Sequence, residues 1–244
     1  NAVALAAHEV IGKASGLAAH LLQSKAGNLI FEDGNFRDSG SDASVSMADV
    51  IEASFDTDRL PGDLKPGYLD TGSIFERGEI SIPNGCHAAA VEVDPETGAV
   101  NLVGYWVVDD FGTIINPLLA DGQVMGGIAQ GIGQALTENI VFDEIGQVVT
   151  GSLMDYGLPH ADTIPEMVIE YYEGAPTKKN PLGVKGAGEA GCVGSLPAVV
   201  NAVLDALKEY DIVHMDMPLT PQKVWRAVRD KGAFDPRGLL EDVL

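Results

Sequence analysis

Between Asn180 and Leu207 the chain reads NPLGVKGAGEAGCVGSLPAVVNAVLDAL, a glycine-studded stretch running straight into an apolar helical pattern. Gly183, Gly186, Gly188, Gly191 and Gly194 allow the backbone to approach a bulky partner closely. The helix beyond them offers N–H groups without intrahelical partners and a partial positive charge. One acid, Glu189, sits inside the run, alone between Glu173 and Asp205. The residues leave two readings open. Glu189 is either a positioned catalytic carboxylate beside a bound cofactor, or a first-turn acid stabilising the helix by roughly 0.3–1 kcal/mol.

Gly186–Gly191 also satisfies G-x-G-x-x-G, the dinucleotide fingerprint, which carries weight only when a strand leads into it within a βαβ unit. The approach from Thr177 to Lys185 is polar and broken by Pro and Gly, with no β-branched run. A nucleotide-binding enzyme is therefore the weaker expectation.

At 244 residues the chain is long enough for one domain or two small ones. Its 29 glycines fit many loops and close backbone approaches better than a helical bundle. A net charge of −21 argues against nucleic acid and against an anionic membrane surface. No apolar run reaches membrane-spanning length, and no signal peptide is visible. Two cysteines, Cys86 and Cys192, are too few for a disulfide scaffold or an iron–sulfur cluster, which makes a reducing cytoplasm the default. A bridge between the two stays open. The first residues, Asn1-Ala2, resemble a remnant of tag removal and run directly into a helical pattern, so the expectation is a piece of a longer polypeptide.

Along the chain, residues 2–23 show an Ala/Leu-rich helical pattern, and Asp33-Gly34 marks a tight turn in a small hairpin. Ser46 is placed to cap a helix over residues 47–54. Residues 56–85, rich in Gly, Pro and Asp, read as a long irregular connection. Residues 86–93 and 99–108, joined by Asp94-Pro-Glu-Thr-Gly98, form the clearest β-hairpin. A Gly/Ala-rich helix is expected over 118–138, a turn at 143–146, a strand over 166–173, and helices over 195–208 and 221–229. Strands and helices do not alternate regularly, so the expected class is α+β, a mixed antiparallel sheet with packed helices.

Three segments taken together carry a family resemblance. DGQVMGGIAQGIGQA at 121–135 resembles the glycine-rich helix of molybdenum hydroxylases, GSLMDYGLP at 151–159 resembles a second of their segments, and GVKGAGEAG at 183–191 resembles their signature around a catalytic glutamate. Ile114-Ile-Asn116-Pro117 and Met217-Pro-Leu-Thr-Pro221 fit as well. The family comprises xanthine dehydrogenase, aldehyde oxidoreductase and aerobic carbon monoxide dehydrogenase. The resemblance covers residues 3–229 and matches the C-terminal part of the molybdopterin-binding large subunit. Residues 1–244 are accordingly read as one C-terminal molybdenum-cofactor-binding domain.

The resemblance implies a molybdenum–molybdopterin cofactor, in its plain or cytosine dinucleotide form, with the metal held by the pterin dithiolene and by no protein ligand. It implies Glu189 as the general base at Mo–OH during hydroxylation of an aldehyde, N-heterocycle or related small molecule. Gln123 matches the family glutamine that reaches the cofactor, although the residue alone also reads as a local backbone partner. Lys185, Gly186, Ala187 and Gly188 match the cofactor lining, although Lys185 alone also reads as a solvated charge. Cys192 stands where threonine is common, either bordering the site or as a small buried residue. Implied partners are the N-terminal part of the same subunit, which holds the segments that fix the substrate, and iron–sulfur and flavin (FAD) subunits. The Gly-Glu-Ala-Gly form of the loop resembles aldehyde and heterocycle hydroxylases. The alternatives are a carbon monoxide dehydrogenase large subunit and a non-catalytic scaffold domain.

Overall fold

The computed structural model describes residues 1–62 and 64–230. Residue 63 and residues 231–244, both within the predicted 1–244 span, lie outside them. The described residues divide into two compact units, 1–78 with 180–182, and 79–179 with 183–230.

The first unit begins with α1 (Ala2–Leu21), followed by the antiparallel strands β1 (Leu29–Glu32), β2 (Asn35–Asp38) and β3 (Ser44–Ser46) and by α2 (Met47–Ala53). The β1–β2 turn is Asp33-Gly34, both at positive φ (49° and 74°), the conformation a two-residue hairpin turn needs. Ser46 caps α2 by accepting from Asp49 N–H, as expected, and β3 is an addition to the predicted hairpin. The core gathers Ala14, Leu17, Ala18, Phe36 and Val50 with Leu60 and Leu69 from the irregular connection. That connection carries no strand among its described residues before β4, and it is anchored here by Tyr68 Oη donating to Lys13 O at 2.9 Å.

In the second unit, β4 (Asn84–Val93), β5 (Val100–Asp110) and β6 (Met167–Tyr171) form a sheet in that order, β4–β5 antiparallel and β5–β6 parallel. A bulge at Ala90/Val91 shifts the β4–β5 register. Tyr105 and Val107 of β5 enter the core, while Trp106 and Val108, which alternate with them, are about half exposed, the alternation a one-sided sheet requires. Among the described residues three α-helices join the sheet: α3 (Pro117–Leu136), α4 (Ala190–Ala206) and α5 (Pro221–Arg229). The observed class is α+β with a mixed sheet. Asn116 caps α3 by accepting from Leu119 N–H, with Pro117 at the first helical position. The turn at 143–146 carries an isolated β-bridge, Phe142 to Val148, and is held by Asp143, which donates to Gln147 O at 2.9 Å and accepts from Gln147 N–H at 2.8 Å.

Small residues set how α3 meets α4. A Cβ on Gly127 would lie 2.9 Å from Cys192 N, and one on Gly131 would overlap Ser195 Oγ. Gly191 is equally tight against Val124 O. The glycines are spaced four apart on α3, and Gly191 and Ser195 four apart on α4, so the two backbones touch along one face. This contact brings the start of α4 beside the first turns of α3.

Candidate functional site

Helix α4 begins at Ala190, five residues earlier than the sequence pattern indicates, so Glu189 occupies its N-cap position. Its carboxylate makes no capping hydrogen bond and stands exposed. At this position the acid makes no capping hydrogen bond, while its charge still faces the positive end of the helix. An exposed carboxylate free of local bonds is available to accept a proton from a ligand.

The turn leading to Glu189 is tied down residue by residue. Gly183 O accepts from Thr113 N–H at 3.2 Å and from Thr177 N–H at 3.1 Å. Val184 bridges Gly112, and its carbonyl accepts from Ser81 Oγ at 3.3 Å. Lys185 N–H donates to Phe111 O at 2.7 Å. Ala187 packs against the main core. Gly188 O accepts from Gln123 Nε2 at 2.9 Å, from the first turns of α3. No strand leads into Gly186–Gly191, so the dinucleotide reading lacks its required context.

Lys185 is neither a solvated charge nor a free cation over the turn. Its Nζ donates to Asp110 Oδ2 at 2.6 Å, with the side chains 10% and 12% exposed. That ammonium, together with the Gly112 N–H on Oδ1, holds the Asp110 carboxyl below its ordinary range. Beside it, Asp109 is 1% exposed; its Oδ1 lies 3.3 Å from His87 Nε2, and His87 Nδ1 lies 2.7 Å from Tyr105 Oη. Burial, and next the negative charge of Asp109, push the Tyr105 phenol well up. At the start of α3, Tyr171 Oη donates to Asp121 Oδ1 at 2.8 Å, fixing the helix end that carries Gln123.

The structure thus gathers Gln123, Lys185, Gly186, Ala187, Gly188 and Glu189 around one turn. The segment 151–159 is not among them. It meets the other end of α3, where Tyr156 Oη donates to Glu138 Oε2 at 2.8 Å and Pro159 crowds Gly133, about 15 Å along the helix from Gln123. Cys86 and Cys192 are free thiols, so the open possibility of a bridge is not realised. Asp109, Asp110 and His87 escape sequence reasoning. The one available signal was a pair of acids ending an otherwise apolar strand.

Glycines flank Glu189 and Gln123 in sequence, Gly188 before the acid and Gly122 before the amide. A Cβ built on Gly122, Gly126 or Gly188 would meet nothing within 4 Å. Among the described residues, a carboxylate without a hydrogen bond, an amide and the N–H groups of a helix start, with exposed glycines near them, suit a large ligand rich in hydrogen-bonding atoms. Among the described residues no helix is long and apolar enough to cross a membrane.

Residues 1–165 match the molybdopterin cofactor-binding domain family. The chain is 38% identical over 235 residues to the nicotine 6-hydroxylase large subunit of Paenarthrobacter nicotinovorans, covering 96% of this chain and 28% of that protein. It is 33% identical to the carbon monoxide dehydrogenase large chain of Hydrogenophaga pseudoflava, over 94% of this chain and 28% of that one. Among solved structures, quinoline 2-oxidoreductase from Pseudomonas putida 86 superposes with a TM-score of 0.82 at 35% identity, covering 91% of this chain and 28% of that chain. The chain therefore spans a little over a quarter of the length of these relatives.

Proposed function

The chain belongs to the molybdopterin cofactor-binding domain family, and from that premise we propose that it forms the base-bearing part of a molybdenum hydroxylase large subunit. The reaction proposed is hydroxylation of an N-heterocycle or aldehyde with oxygen derived from water. The nicotine and quinoline relatives support the heterocycle class, and the identity to that nicotine relative exceeds that to the carbon monoxide dehydrogenase chain. The observation that carries the reading is the carboxylate of Glu189, without a hydrogen bond among the described residues, at the end of a turn otherwise held by hydrogen bonds and by packing of Ala187.

When bound, the molybdenum–pterin group supplies the oxygen transfer and two-electron chemistry. Glu189 would take up the proton at its carboxylate, a role that needs an unpaired acid within hydrogen-bond reach. Gly186 and Gly188 let the backbone approach the pterin without side chains between them. Ala187 anchors the turn in the core, and Gln123 braces it through Gly188 O. Lys185 lines the turn through its backbone, its ammonium being held by Asp110.

The preceding part of the same subunit is the proposed cover for apolar residues left in solvent, such as Leu118, Leu153 and Met154, which are 79%, 79% and 92% exposed. Electrons would leave through iron–sulfur and FAD groups on partner subunits, in a cytoplasmic assembly. The pterin would carry either its plain or its cytosine dinucleotide form.

Glu189→Gln in the complete cofactor-loaded enzyme tests the proposal. Turnover should fall by about a thousandfold or more with molybdenum and pterin content unchanged, since general-base loss commonly removes 10²–10⁴-fold. Undiminished turnover would reject the assignment.

A further inference from the structure

Two consecutive carboxylates close strand β5, and each reaches a different flank of the Glu189 turn. Successive side chains on a strand project to opposite faces. Asp110 takes Lys185, four residues ahead of Glu189, in an ion pair of 2.6 Å that is almost closed to solvent. Its second oxygen accepts from Gly112 N–H at 2.9 Å, so the carboxylate is fixed in orientation. Asp109 holds His87 at 3.3 Å, and the imidazole lies against Gly194, five residues after Glu189, so closely that a Cβ there would overlap the ring. Tyr105 Oη at 2.7 Å steadies the other ring nitrogen. Gly85 opposite leaves room for Asp109, since a Cβ on it would overlap Oδ1.

We propose that Asp109 and Asp110 are positioning residues that hold the Glu189 turn from both sides, through His87 and α4 on one side and through Lys185 on the other. The inference rests on the reading of Glu189 as the base. A turn containing Gly186 and Gly188 has wide backbone freedom of its own. A displacement of about 1 Å in a reacting group costs on the order of a hundredfold in rate. Anchors on both flanks of the carboxylate reduce that freedom, and a charge-assisted pair nearly closed to solvent is stiffer than a surface contact. Lys185 accordingly acts on Glu189 through the loop and not as a charge offered to the cofactor.

The experiment compares Lys185→Met, Lys185→Arg and Gly194→Ala in the complete enzyme, with and without its cofactor. It reads amide hydrogen exchange over residues 183–196, kcat, KM, and molybdenum and pterin content. In Lys185→Met, exchange at residues 186–189 should rise about tenfold, kcat should fall about tenfold or more, and KM and cofactor content should stay as they were. Lys185→Arg, which keeps the ion pair, should restore most of both. Gly194→Ala, which expels the His87 ring, should speed exchange over residues 190–196 and lower kcat. Loss of pterin with exchange unchanged would make Lys185 a cofactor ligand and overturn the proposal, as would unchanged kcat and exchange. If Lys185→Met fails to accumulate, Asp110→Glu, which retains the charge but shifts it by one methylene, is read in the same way. Glu189→Gln is measured in parallel. Full turnover there rejects the base while exchange still decides the clamp. Lost turnover there with an unaltered Lys185→Met rejects the clamp alone.

Discussion

Gln123 Nε2 donates to the carbonyl of Gly188 at 2.9 Å, linking residues 65 positions apart in sequence. The bond reaches the residue directly before Glu189 from the start of α3. It uses the amide's donor and leaves its oxygen for a ligand. Replacing Gln123 by Glu removes both amide N–H donors and sets an anion against a carbonyl oxygen and beside Glu189. The Glu variant should therefore lose more turnover than Gln123→Ala, for which a loss of about two- to tenfold is expected from one net hydrogen bond of roughly 0.5–1.5 kcal/mol. Because the bond is exposed, thermal midpoints should barely move in either. Equal turnover in the two variants, measured at matched cofactor content, would show that the donor does not matter.

The contact of Gly131 with Ser195 governs how closely α3 and α4 approach. Gly131→Ala forces its methyl onto Ser195 Oγ, a buried hydroxyl that already donates to Cys192 O at 3.1 Å. Overpacking of this kind costs about 1–3 kcal/mol. The substitution should lower the denaturation midpoint, and the added change Ser195→Gly should recover part of the loss even though each substitution alone destabilises. Additive losses in the denaturant titration would place the strain elsewhere.

Much of this architecture was legible in the sequence because its signals are local. Ser46 and Asn116 cap the helices they precede, Asp33-Gly34 turns the first hairpin, and Thr220-Pro221 opens α5 at its predicted start. The start of α4 was misjudged because Gly191 and Gly194 read as loop. Tertiary contact overrides their poor helix propensity, since only glycine permits the touch on Val124 and His87. The role of Lys185 was hidden for a related reason. Its partner Asp110 is 75 residues away, and no local pattern reports a pairing made across a sheet end. The parallel pairing of β6 with β5 across α3 is equally non-local.

The Asp110–Lys185 pair makes stability depend on acid. The ammonium, assisted by Gly112 N–H, lowers the folded-state proton affinity of Asp110 from its ordinary value of 3.8. In the unfolded chain the carboxyl returns to that ordinary value, so the pair's contribution is complete above it and fades as pH falls through the lower folded value. Asp110→Asn should therefore be less stable than the parent at neutral pH, and the gap should narrow below about pH 4. Urea midpoints at several pH values check this, and a gap that widens in acid would contradict it.

The alkaline limit should be set by buried phenols. Burial, then the hydrogen bond to Asp121 and neighbouring negative charge, raise Tyr171 well above its ordinary value of 10.0, and burial with Asp109 raises Tyr105 similarly. Tyr68 and Tyr156 are raised as well, by burial and by the bond to Glu138 respectively. Above about pH 10 the unfolded chain gives up these protons while the native state retains them. Stability must then fall as pH rises, the sign opposite to that of Asp110 in acid. Phenolate absorbance of the native protein should report fewer ionised tyrosines at pH 11 than the urea-unfolded chain, with the remainder appearing together as ellipticity is lost. Tyr171→Phe should make the alkaline decline shallower, although it forfeits the bond that fixes the start of α3. A smooth titration of all six tyrosines with the fold intact would refute the burial argument.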